Sequence, residues 1–488
     1  MIDTEALRKK VIDLAIQGKL TQQLPKDGNA EDLYAQIQEE KTKLIKEEKI
    51  KKENPLPPIT EDEIPFEIPN NWKWVCLGEL CTQITDGTHK TPTYQDEGIP
   101  FLSVKNISSG SFDLKDVKYI SEEEHAELVR RCNPKKGDVL VCRIGTLGKA
   151  ITIDFDMEFS IFVSLGLIKT TNTILSDYIV QVINSGYGDA WVMANKAGGA
   201  MHTYKINLNS LSLLSVPFPP LAEQKRIVEK IKEVLAQIDI IDTLQQQYES
   251  DREILKGKII DAGICGKLTE QLPEDGDAEE LYAQIQEEKA KLIKDGKIKK
   301  EKPLPPISED EIPFEIPSNW KWCRLQELVY ILGDGIHGTP HYDQCGEYYF
   351  INGNNLSEGK IVLKASTKKI GEDEYLKYKK DLNESTILVS INGTIGNLAY
   401  YNNERIILGK SACYFNLLDR RMKEFVFFVL KSDYFLKYAH FSATGVTIKN
   451  VSLKAMNNFM IPMPSIIEQE RIVNRINRLM GILIGNVA

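Results

Sequence analysis

The sequence has little that would direct it to a membrane or stabilise it by covalent links. No apolar run approaches the roughly 20 residues that cross a membrane, and Met1 to Lys19 has no apolar signal-peptide core. The eight cysteines occur without a CxxC pair, so reduced thiols are expected rather than a disulfide framework. These absences predict a soluble, cytoplasmic protein with no membrane partner.

Signatures of nucleotide- and cofactor-dependent enzymes are also missing. The segment GTLGK at 145–149 is too short for a phosphate-binding P-loop and has no hydroxyl residue after its lysine. No GxGxxG follows a predicted strand, and the Asn-Pro-Pro-aromatic tetrad of adenine methyltransferases is absent. Asp86 and His89 could suggest acid–base catalysis, but no serine or cysteine nucleophile stands at a shared position, so a turn is favoured. We expect no catalytic residue and no cofactor in this chain.

One triplet has the spacing of a metal site. His337, His341 and Cys345 could hold a transition metal. Because the equivalent positions 89, 93 and 97 are His, Thr and Glu, the triplet is not a property of the repeat described below. A turn with one buried cysteine is the favoured interpretation, and no metal is expected.

The charge balance does not point to a polyanionic partner. With 61 basic and 70 acidic residues the formal net charge is -9, whereas nucleic-acid-binding domains are typically basic. Residues 75–220 hold 13 basic and 16 acidic residues, a net charge of -3, and residues 323–465 hold 17 and 14, a net charge of +3. Neither segment has a strongly basic composition.

What the sequence does have is an internal repeat of about 248 residues. Residues 11–74 align with 259–322 without a gap, and 14 of the 64 positions differ. Each copy holds a charged amphipathic helix, predicted to end near Lys52 or Lys300, where PLPPI stops it. The proline-spaced strap EIPFEIP then leads to a tryptophan pair. The near-identity of the two copies predicts two equivalent frames.

After the tryptophans the copies diverge but keep landmarks. DGTHKTPTY at 86–94 corresponds to DGIHGTPHY at 334–342, and GTLG at 145–148 corresponds to GTIG at 393–396. Short apolar runs predict strands at 101–104, 139–144, 349–351 and 387–391, and helical patterns occur near 176–183 and 423–438. Each divergent segment is therefore predicted to be a mixed α/β domain.

A long helix is predicted from Leu221 to Leu268. Steps of four and three residues define one seam with two polar exceptions, Gln245 and Arg252. The apolar seam positions are Ile227, Ile231, Val234, Ile238, Ile241, Tyr248, Leu255, Ile259 and Ala262. No second stretch of that length exists, but the helix from Ile466 and the first helix, with Leu7, Val11 and Leu14, together match its length. We predict a circular pseudo-twofold in which the two termini meet beside the middle of the long helix.

This order of segments resembles the DNA-specificity (S) subunit of type I restriction-modification enzymes. The resemblance also includes PLPPI, DGTHxTPxY, FLSVKNI at 101–107, ISEEEHAEL at 120–128, KKGDVL at 135–140 and PPLAEQ, and it covers essentially the whole chain. It implies an α+β multidomain fold: two mixed α/β target-recognition domains separated by a two-helix antiparallel coiled coil.

The predicted boundaries follow the repeat. They are 1–20 (N-terminal helix), 21–74 (first frame), 75–220 (first recognition domain), 221–268 (spacer helix), 269–322 (second frame), 323–465 (second recognition domain) and 466–488 (C-terminal helix).

The resemblance further implies a non-catalytic subunit that recognises double-stranded DNA. Each recognition domain would read one half of a bipartite site, with the helices setting the spacer. Two methyltransferase subunits carrying S-adenosylmethionine would dock on the frames, and restriction/translocase subunits would join them. With so little basic charge, the isolated chain should bind DNA weakly and in a salt-sensitive way. Two alternatives remain open: a self-contained DNA methyltransferase or nuclease, and a coiled-coil scaffold without DNA specificity.

Candidate DNA-binding residues are polar side chains expected on the loops of the landmarks, because groove edges present hydrogen-bond donors and acceptors. In the first domain they are Thr88, His89, Thr91, Tyr94, Lys105, Asn106, Arg143, Thr146, Lys149, Lys196, His202 and Lys205. In the second they are His337, Thr339, His341, Tyr342, Asn352, Asn354, Asn392, Thr394, Lys410, Thr447 and Lys449. The candidate partner-binding residues are Leu33, Tyr34, Ile37, Leu281, Tyr282 and Ile285 on the frame helices.

Overall fold

The protein is described here from a computed structural model that covers residues 1–52, 54–171, 173–198, 204–445 and 449–485. It divides into two compact units, Met1–Gln246 and Gln247–Ala488. The boundary falls inside one long helix, α8 (Leu221–Ile264). Each unit combines helices with small sheets, which confirms the predicted mixed α/β composition.

The first unit contains the elements up to the first half of α8. Its helices are α1 (Thr4–Ile16), α2 (Ala30–Lys46), α3 (Leu77–Leu80), α4 (Glu122–Leu128), α5 (Thr173–Asn184), α6 (Gly186–Asn195) and α7 (Leu208–Ser212). Its strands are β1 (Lys73–Cys76), β2 (Cys81–Asp86), β3 (Ile99–Leu102), β4 (Lys118–Ile120), β5 (Val139–Cys142), β6 (Ala150–Thr152), β7 (Ser160–Ile161), β8 (Leu165–Thr170) and β9 (Ser215–Phe218).

The second unit repeats this order. Its helices are α9 (Ala278–Lys294), α10 (Leu325–Leu328), α11 (Glu372–Tyr378), α12 (Lys423–Lys431), α13 (Asp433–Ser442), α14 (Leu453–Asn458) and α15 (Ile466–Leu483). Its strands are β10 (Lys321–Arg324), β11 (Val329–Asp334), β12 (Tyr348–Ile351), β13 (Leu356–Ser357), β14 (Lys360–Ile361), β15 (Lys369–Ile370), β16 (Thr386–Ser390), β17 (Leu398–Tyr400), β18 (Ile406–Leu408), β19 (Ala412–Leu417) and β20 (Met460–Met463).

The larger sheets of the two units have the same topology, and the second unit adds the two-stranded sheet β13-β14. An antiparallel sheet has the order β2-β8-β5-β6 in the first unit and β11-β19-β16-β17 in the second. Beside it lies a mixed sheet, β4-β3-β7 or β15-β12-β18, in which β3–β7 and β12–β18 pair in parallel. The strand after each tryptophan pair joins the strand of the proline corner, as β1–β9 and β10–β20. Apolar residues of the strands and helices form the core of each unit, and strands β5, β9, β16, β19 and β20 are buried at every position.

Each frame is anchored by a buried glutamate. In the first unit Trp72 Nε1 donates to Glu223 Oε2 at 2.9 Å, and in the second Trp320 Nε1 donates to Glu468 Oε2 at 2.9 Å. Both carboxylates are fully buried at the start of a long helix, where the helix dipole favours negative charge. The first tryptophan of each predicted pair therefore fastens its strap to the helix that follows the recognition domain.

Several predicted helices end earlier than expected. The frame helices α2 and α9 end at Lys46 and Lys294, because the chain turns at Glu48 (φ 57) and Gly296 (φ 73). Helix α8 ends at Ile264 rather than Leu268, since Gly266 has φ 70 and Lys267 N donates back to Ala262 O. These left-handed residues close the helix ends before the prolines are reached.

The helix predicted near 423–438 is two helices. Ser432 has an extended backbone, and its Oγ accepts from Phe435 N, which caps the start of α13. The same Oγ donates to Val429 O at the end of α12. One hydroxyl thus ends one helix and begins the next, and an apolar-period pattern does not reveal such a break.

In the first unit, α1 lies antiparallel beside the first half of α8. Arg8 forms ion pairs with Asp239 and Asp242 at 2.7 and 2.6 Å. The backbone N–H and C=O of Ile2 bond to the side-chain amide of Gln245 at 2.6 and 3.2 Å. The polar seam residue Gln245 therefore binds the N-terminal segment.

In the second unit, α15 lies beside the second half of α8, where Gly263 faces Ile472 and Ile476 closely. Arg252 does not bond to α15 but pairs with Glu249 on its own helix. The meeting of the two termini and a coiled coil that continues from one unit to the other remain predictions, and residues 486–488 lie outside the described chain.

The predicted seam of α8 is buried only towards its ends. Tyr248 and Leu255 are 57% and 44% exposed, so the expectation of a continuous apolar seam was wrong in the middle. Helix α15 ends at Leu483 and does not cover this stretch. The buried seam positions are Ile227, Ile231, Ile238 and Ile259.

Two further expectations concern the cysteines and the membrane. Cys76, Cys132, Cys142, Cys265, Cys323, Cys345 and Cys413 carry free thiols, of which Cys345 is exposed rather than buried as expected. Among the described helices none is long and apolar enough to cross a lipid bilayer.

Candidate nucleic-acid interface

In the first unit the DGTH landmark begins where strand β2 ends, at Asp86. The Asp86 carboxylate is buried and forms an ion pair with the buried Arg143 at the end of β5. Arg131 Nη2 donates to Asp86 Oδ1 at 2.6 Å and to the carbonyl oxygens of Asp86 and Gly87 at 2.6 and 2.7 Å. His89 Nε2 lies 3.0 Å from Asp86 Oδ2. One carboxylate thus organises groups from three segments of the chain.

The electrostatics of this cluster favour the charged form of Asp86. Burial alone would raise its pKa, but the hydrogen bond with His89 and the positive charges of Arg143 and Arg131 together hold the pKa below its ordinary value. The charge keeps both guanidinium groups in place. Cys132 and Cys142 lie nearby in the apolar core, and burial raises the pKa of each thiol to about 12, so neither is an activated nucleophile.

In the second unit Asp334 takes the place of Asp86, with fewer partners. Its Oδ2 lies 2.7 Å from His337 Nε2. In the backbone hydrogen-bond pattern, Ile391 occupies the place of Arg143. Each donates its N–H to the serine just before the equivalent strand, β19 or β8, and the carbonyl of each accepts from the N–H of Val451 or Ile206. Asp381 stands where the first unit has Arg131, since each lies eleven residues after the equivalent buried isoleucine, Ile370 or Ile120. The DGxH turn is therefore kept while its supporting charges are not.

The glycine of each DGxH turn is required by close packing. A Cβ on Gly87 would lie 2.0 Å from Ile161 O, and a Cβ on Gly335 would lie 2.0 Å from Leu408 O. Any side chain here would separate the turn from strand β7 or β18. This contact brings the turn against the mixed sheet in both units.

The residue before each GTxG turn pairs with a later loop of the same domain, the returning loop, which contains Lys205 or Asn450. Ile144 and Lys205 form an isolated β-bridge in the first unit, as do Asn392 and Asn450 in the second. Arg143 Nε also donates to Ile206 O at 3.0 Å, which connects this loop to Asp86. The DGxH turn, the GTxG turn and the returning loop therefore lie together at one end of each recognition domain.

A third segment joins this end of the domain. Val104 N donates to Ser164 Oγ in the first unit, and Gly353 N donates to Ser411 Oγ in the second. Within each segment an asparagine closes the turn: Asn106 Oδ1 accepts from Ser103 N at 2.9 Å, and Asn355 Oδ1 accepts from Asn352 N at 3.0 Å. The residues before these asparagines, Lys105 and Asn354, are exposed and differ.

Most candidate DNA-binding side chains are at the surface. Those exposed are His89, Thr91, Tyr94, Lys105, Thr146, Lys205, His337, Thr339, His341, Tyr342, Asn354, Thr394, Lys410 and Lys449. Those partly buried are Thr88, Lys149, Lys196, Asn352 and Asn392. His202 and Thr447 lie outside the described residues. Contact of the exposed side chains with DNA remains a prediction.

The structure corrects the prediction that Asn106 and Arg143 contact DNA. Both side chains are buried. The amide of Asn106 bonds to Ser103 N and Asp113 O, and the guanidinium of Arg143 bonds to Asp86 and Ile206 O. Their polar groups are used inside the domain, so we assign them to support of the surface rather than to contact with DNA.

The six candidate partner-binding residues also face inward. Ile37, Leu281 and Ile285 belong to the cores of their own units, with Leu33, Tyr34 and Tyr282 packed against them. Tyr34 OH donates to Glu79 at 2.8 Å, and Tyr282 OH donates to Glu327 at 2.7 Å. The prediction that this face binds a partner is wrong for the buried Ile37, Leu281 and Ile285, and it stays a prediction for the half-buried Leu33, Tyr34 and Tyr282.

Two exposed residues at these surfaces were not predicted from the sequence. Arg131 borders a cleft of about 550 Å³ with Thr88, His89 and Leu128, and only its long-range pairing with Asp86 reveals its place. Phe441, at the end of α13, is 92% exposed. A helical projection of α13 places it away from the buried residues Phe435 and Ala439, which is a signal that the sequence does contain.

No three metal-binding side chains come together among the residues that the structure describes. Within the predicted triplet, His337 bonds to Asp334, and the backbone N–H of His341 donates to Glu374 at 2.9 Å.

Comparison with known proteins gives one family. The sequence profile described as "Type I restriction modification DNA specificity domain" matches residues 69–250 and 317–485. The EcoAI type I restriction enzyme specificity subunit of Escherichia coli is 27% identical over 97% of this chain and 88% of its own length. The EcoEI specificity subunit of the same species is 30% identical over 66% of this chain and 61% of its own.

A solved structure shares the fold. It comes from work on the structural basis of complex assembly and conformational transition of the type I R-M system, and it superposes on this chain with a TM-score of 0.54. The match has 18% sequence identity and covers 86% of this chain and 93% of that one. At this identity the likeness supports the fold alone.

Proposed function

The chain belongs to the type I restriction-modification DNA specificity family, and from this we propose that it selects the DNA sequence on which a type I complex acts. Each recognition domain reads one half of a bipartite site. The helices set the distance between the halves. The chain itself carries no catalytic residue, and S-adenosylmethionine is bound by partner methyltransferase subunits.

One observation carries this proposal: the two units keep the same supporting backbone and differ in the side chains it exposes. The asparagine turn is closed by the same side-chain-to-backbone hydrogen bond in both units, yet it presents Lys105 in one unit and Asn354 in the other. A lysine suits a phosphate or guanine, whereas an asparagine can bond N6 and N7 of adenine together in the major groove. A conserved support with exchanged contact residues is expected of two readers of different sequences.

The reading surfaces consist of loops positioned by buried pairs. The Asp86–Arg143 pair, or the Asn392–Asn450 bridge, fixes the loops without occupying the exposed groups. Such preorganisation lets donors and acceptors meet base edges with little loss of conformational freedom. The small net charges of the two recognition domains support a requirement for partners that contribute phosphate contacts.

We place the docking of two methyltransferase subunits on the outer faces of α2 and α9. Five exposed positions of these faces are identical in the two copies, with Ala35, Gln36, Glu39, Glu40 and Lys43 matched by Ala283, Gln284, Glu287, Glu288 and Lys291. Exposed residues contribute little to folding, so their identity between copies that diverge elsewhere supports one shared partner. Restriction/translocase subunits join this assembly.

The function is tested by sequencing the methylome of the host with and without this gene. The expected result is loss of adenine methylation at one split motif, and an unchanged methylome contradicts the proposal. Replacing residues 75–220 with the matching domain of a relative should then change one half of the motif. A change in both halves would exclude the modular interpretation.

The docking surface is tested by charge reversal. Substituting lysine for Glu39 and Glu40, and separately for Glu287 and Glu288, should each remove one methyltransferase subunit from the purified complex, as measured by mass photometry. The control reverses Glu122 and Glu123 on α4, which should leave the subunit composition unchanged. Retention of both subunits by the frame variants would exclude this surface.

A further inference from the structure

Phe441 is an exposed aromatic side chain with no packing role. It lies on α13 one residue before the helix ends, and 92% of its surface is open to water. Isolated exposed apolar residues are common, but a phenyl ring this exposed loses nearly all the stabilisation that burial would give. What the ring can contact therefore depends on its position in the domain.

The position places Phe441 beside the proposed reading loops. Thr444 lies three residues later, so its Cα is within about 11 Å of that of Phe441. Thr444 pairs with Asn450 through backbone bonds of 3.0 and 2.9 Å, and the Asn392 side chain donates to Asn450 Oδ1 at 3.1 Å.

Helix α13 also packs directly on the GTIG turn. A Cβ on Gly396 would lie 2.4 Å from the Leu436 side chain. Phe441 therefore lies on the helix that contacts the GTIG turn, three residues before the Thr444–Asn450 bridge.

The equivalent position of the first unit is not aromatic. Ser185 and Ser432 cap the equivalent helices α6 and α13, and nine residues after them stand Ala194 and Phe441. The two recognition domains therefore differ at this position.

We propose that Phe441 packs its ring against the bases of the half-site read by the second recognition domain. This inference depends on the function proposed above. An apolar ring among polar donors can contact a thymine methyl group or enter a base step. Protein–DNA contacts of this kind are sequence-dependent, so Phe441 would contribute to specificity as well as affinity.

The test uses the complex of the full chain with its methyltransferase subunits and duplex DNA carrying the motif from the methylome. Methyl transfer from radiolabelled S-adenosylmethionine gives kcat/KM. Phe441→Ala should lower kcat/KM by about 10-fold, in line with the cost of losing one base–aromatic contact. The penalty for mutating bases of the second half-site should shrink, while the penalty for the first half-site stays the same. Phe441→Tyr, which keeps the ring, should retain both values.

The control is Ile482→Ala, which removes a 53% exposed apolar residue from α15 and should leave half-site discrimination unchanged. Wild-type discrimination by folded Phe441→Ala overturns the inference, as does loss of the methyltransferase subunits from this variant, which would make the ring a protein contact. Failure of the wild-type complex to methylate any sequence selectively would instead contradict the proposed function.

Discussion

The two units hold the same turn in place with different numbers of buried charged side chains. Both hold a DGxH turn against a mixed sheet, yet the first pairs the buried Asp86 with the buried Arg143 and the exposed Arg131, whereas the second has Ile391 and an Asp334 bonded to one histidine. The turn therefore depends on its glycine and its strand contacts. The charges are an addition by which the first unit ties the turn to the returning loop at Ile206.

The largest expected difference follows from removing the carboxylate charge. Asp86→Asn leaves the buried Arg143 without its counter-ion, which should destabilise the first unit by about 3–5 kcal/mol. Asp334→Asn, at a partly exposed pair with His337, should cost less than about 1 kcal/mol. Urea unfolding monitored by hydrogen exchange in each unit measures both. Equal losses would show that the buried charges do not distinguish the units.

The shared part of the turn should respond equally in both units. Gly87→Ala and Gly335→Ala each place a methyl group against a carbonyl oxygen of the neighbouring strand. We expect each to destabilise its unit by roughly 2 kcal/mol, as measured by the same unfolding experiment. The matched control is Gly338→Ala, where nothing lies within 4 Å of the added Cβ. A strong effect in one unit only would mean that the turns are supported differently.

Exposed residues on the equivalent asparagine turns should have smaller effects, confined to separate half-sites. Asn354→Ala should reduce base discrimination in the second half-site by about 1–2 kcal/mol. Lys105→Ala should weaken binding by the same factor whichever bases occupy the first half-site, and should lower the salt dependence, as for a phosphate contact. Binding of the assembled complex to half-site variants at several salt concentrations measures both. The comparison fails if either variant changes base discrimination at the half-site that the other domain reads.

The smallest expected effect is a difference in pH response. The lowered pKa of Asp86 means that the stability it contributes is present above the ordinary carboxyl pKa and is lost as the pH falls through the folded-state value. For Glu468, burial raises the pKa, although bonds from Trp320 and Asn319 oppose the rise. Its contribution is present below the ordinary pKa and is lost as the pH rises.

Acidification from about pH 4 to pH 2 should therefore loosen the Asp86 region but not the Glu468 region. Protection factors from hydrogen exchange in residues 81–90 and 466–475 measure this difference. In the Asp86→Asn variant the response of the first region should disappear. A parallel response of both regions in the wild-type chain would contradict these assignments.

The sequence predicted what is local or repeated. The frames, the proline corners and the strands after the tryptophans follow from period, turn residues and the 248-residue repeat. It did not reveal that Ser432 divides one apolar pattern into two helices, because a single hydroxyl makes that break. It also placed the apolar face of α2 on a partner, since a pattern shows that a face is buried but not what buries it.

Within the proposed interface, residue type alone could not separate support from contact. Asn106 and Lys105 are adjacent polar residues in one motif, yet the first is buried by bonds to Ser103 and Asp113 while the second is exposed. Arg143 is a suitable base-reading residue by chemistry, but its partner Asp86 lies 57 positions away. Only the tertiary pairing of the strands brings the two together.

The attachment of α1 to α8 affects how the protein is made. Ile2 and Gln245 are 243 positions apart, so the first helix leaves the ribosome long before its partner exists. At typical synthesis rates this interval is roughly 10 to 50 s. During that time the core that holds Ile12, Ala15 and Ile16 lacks its α8 members Ile227 and Ile231. The apolar face of the amino-terminal helix therefore stays incompletely buried on the nascent chain until the first half of α8 has been translated.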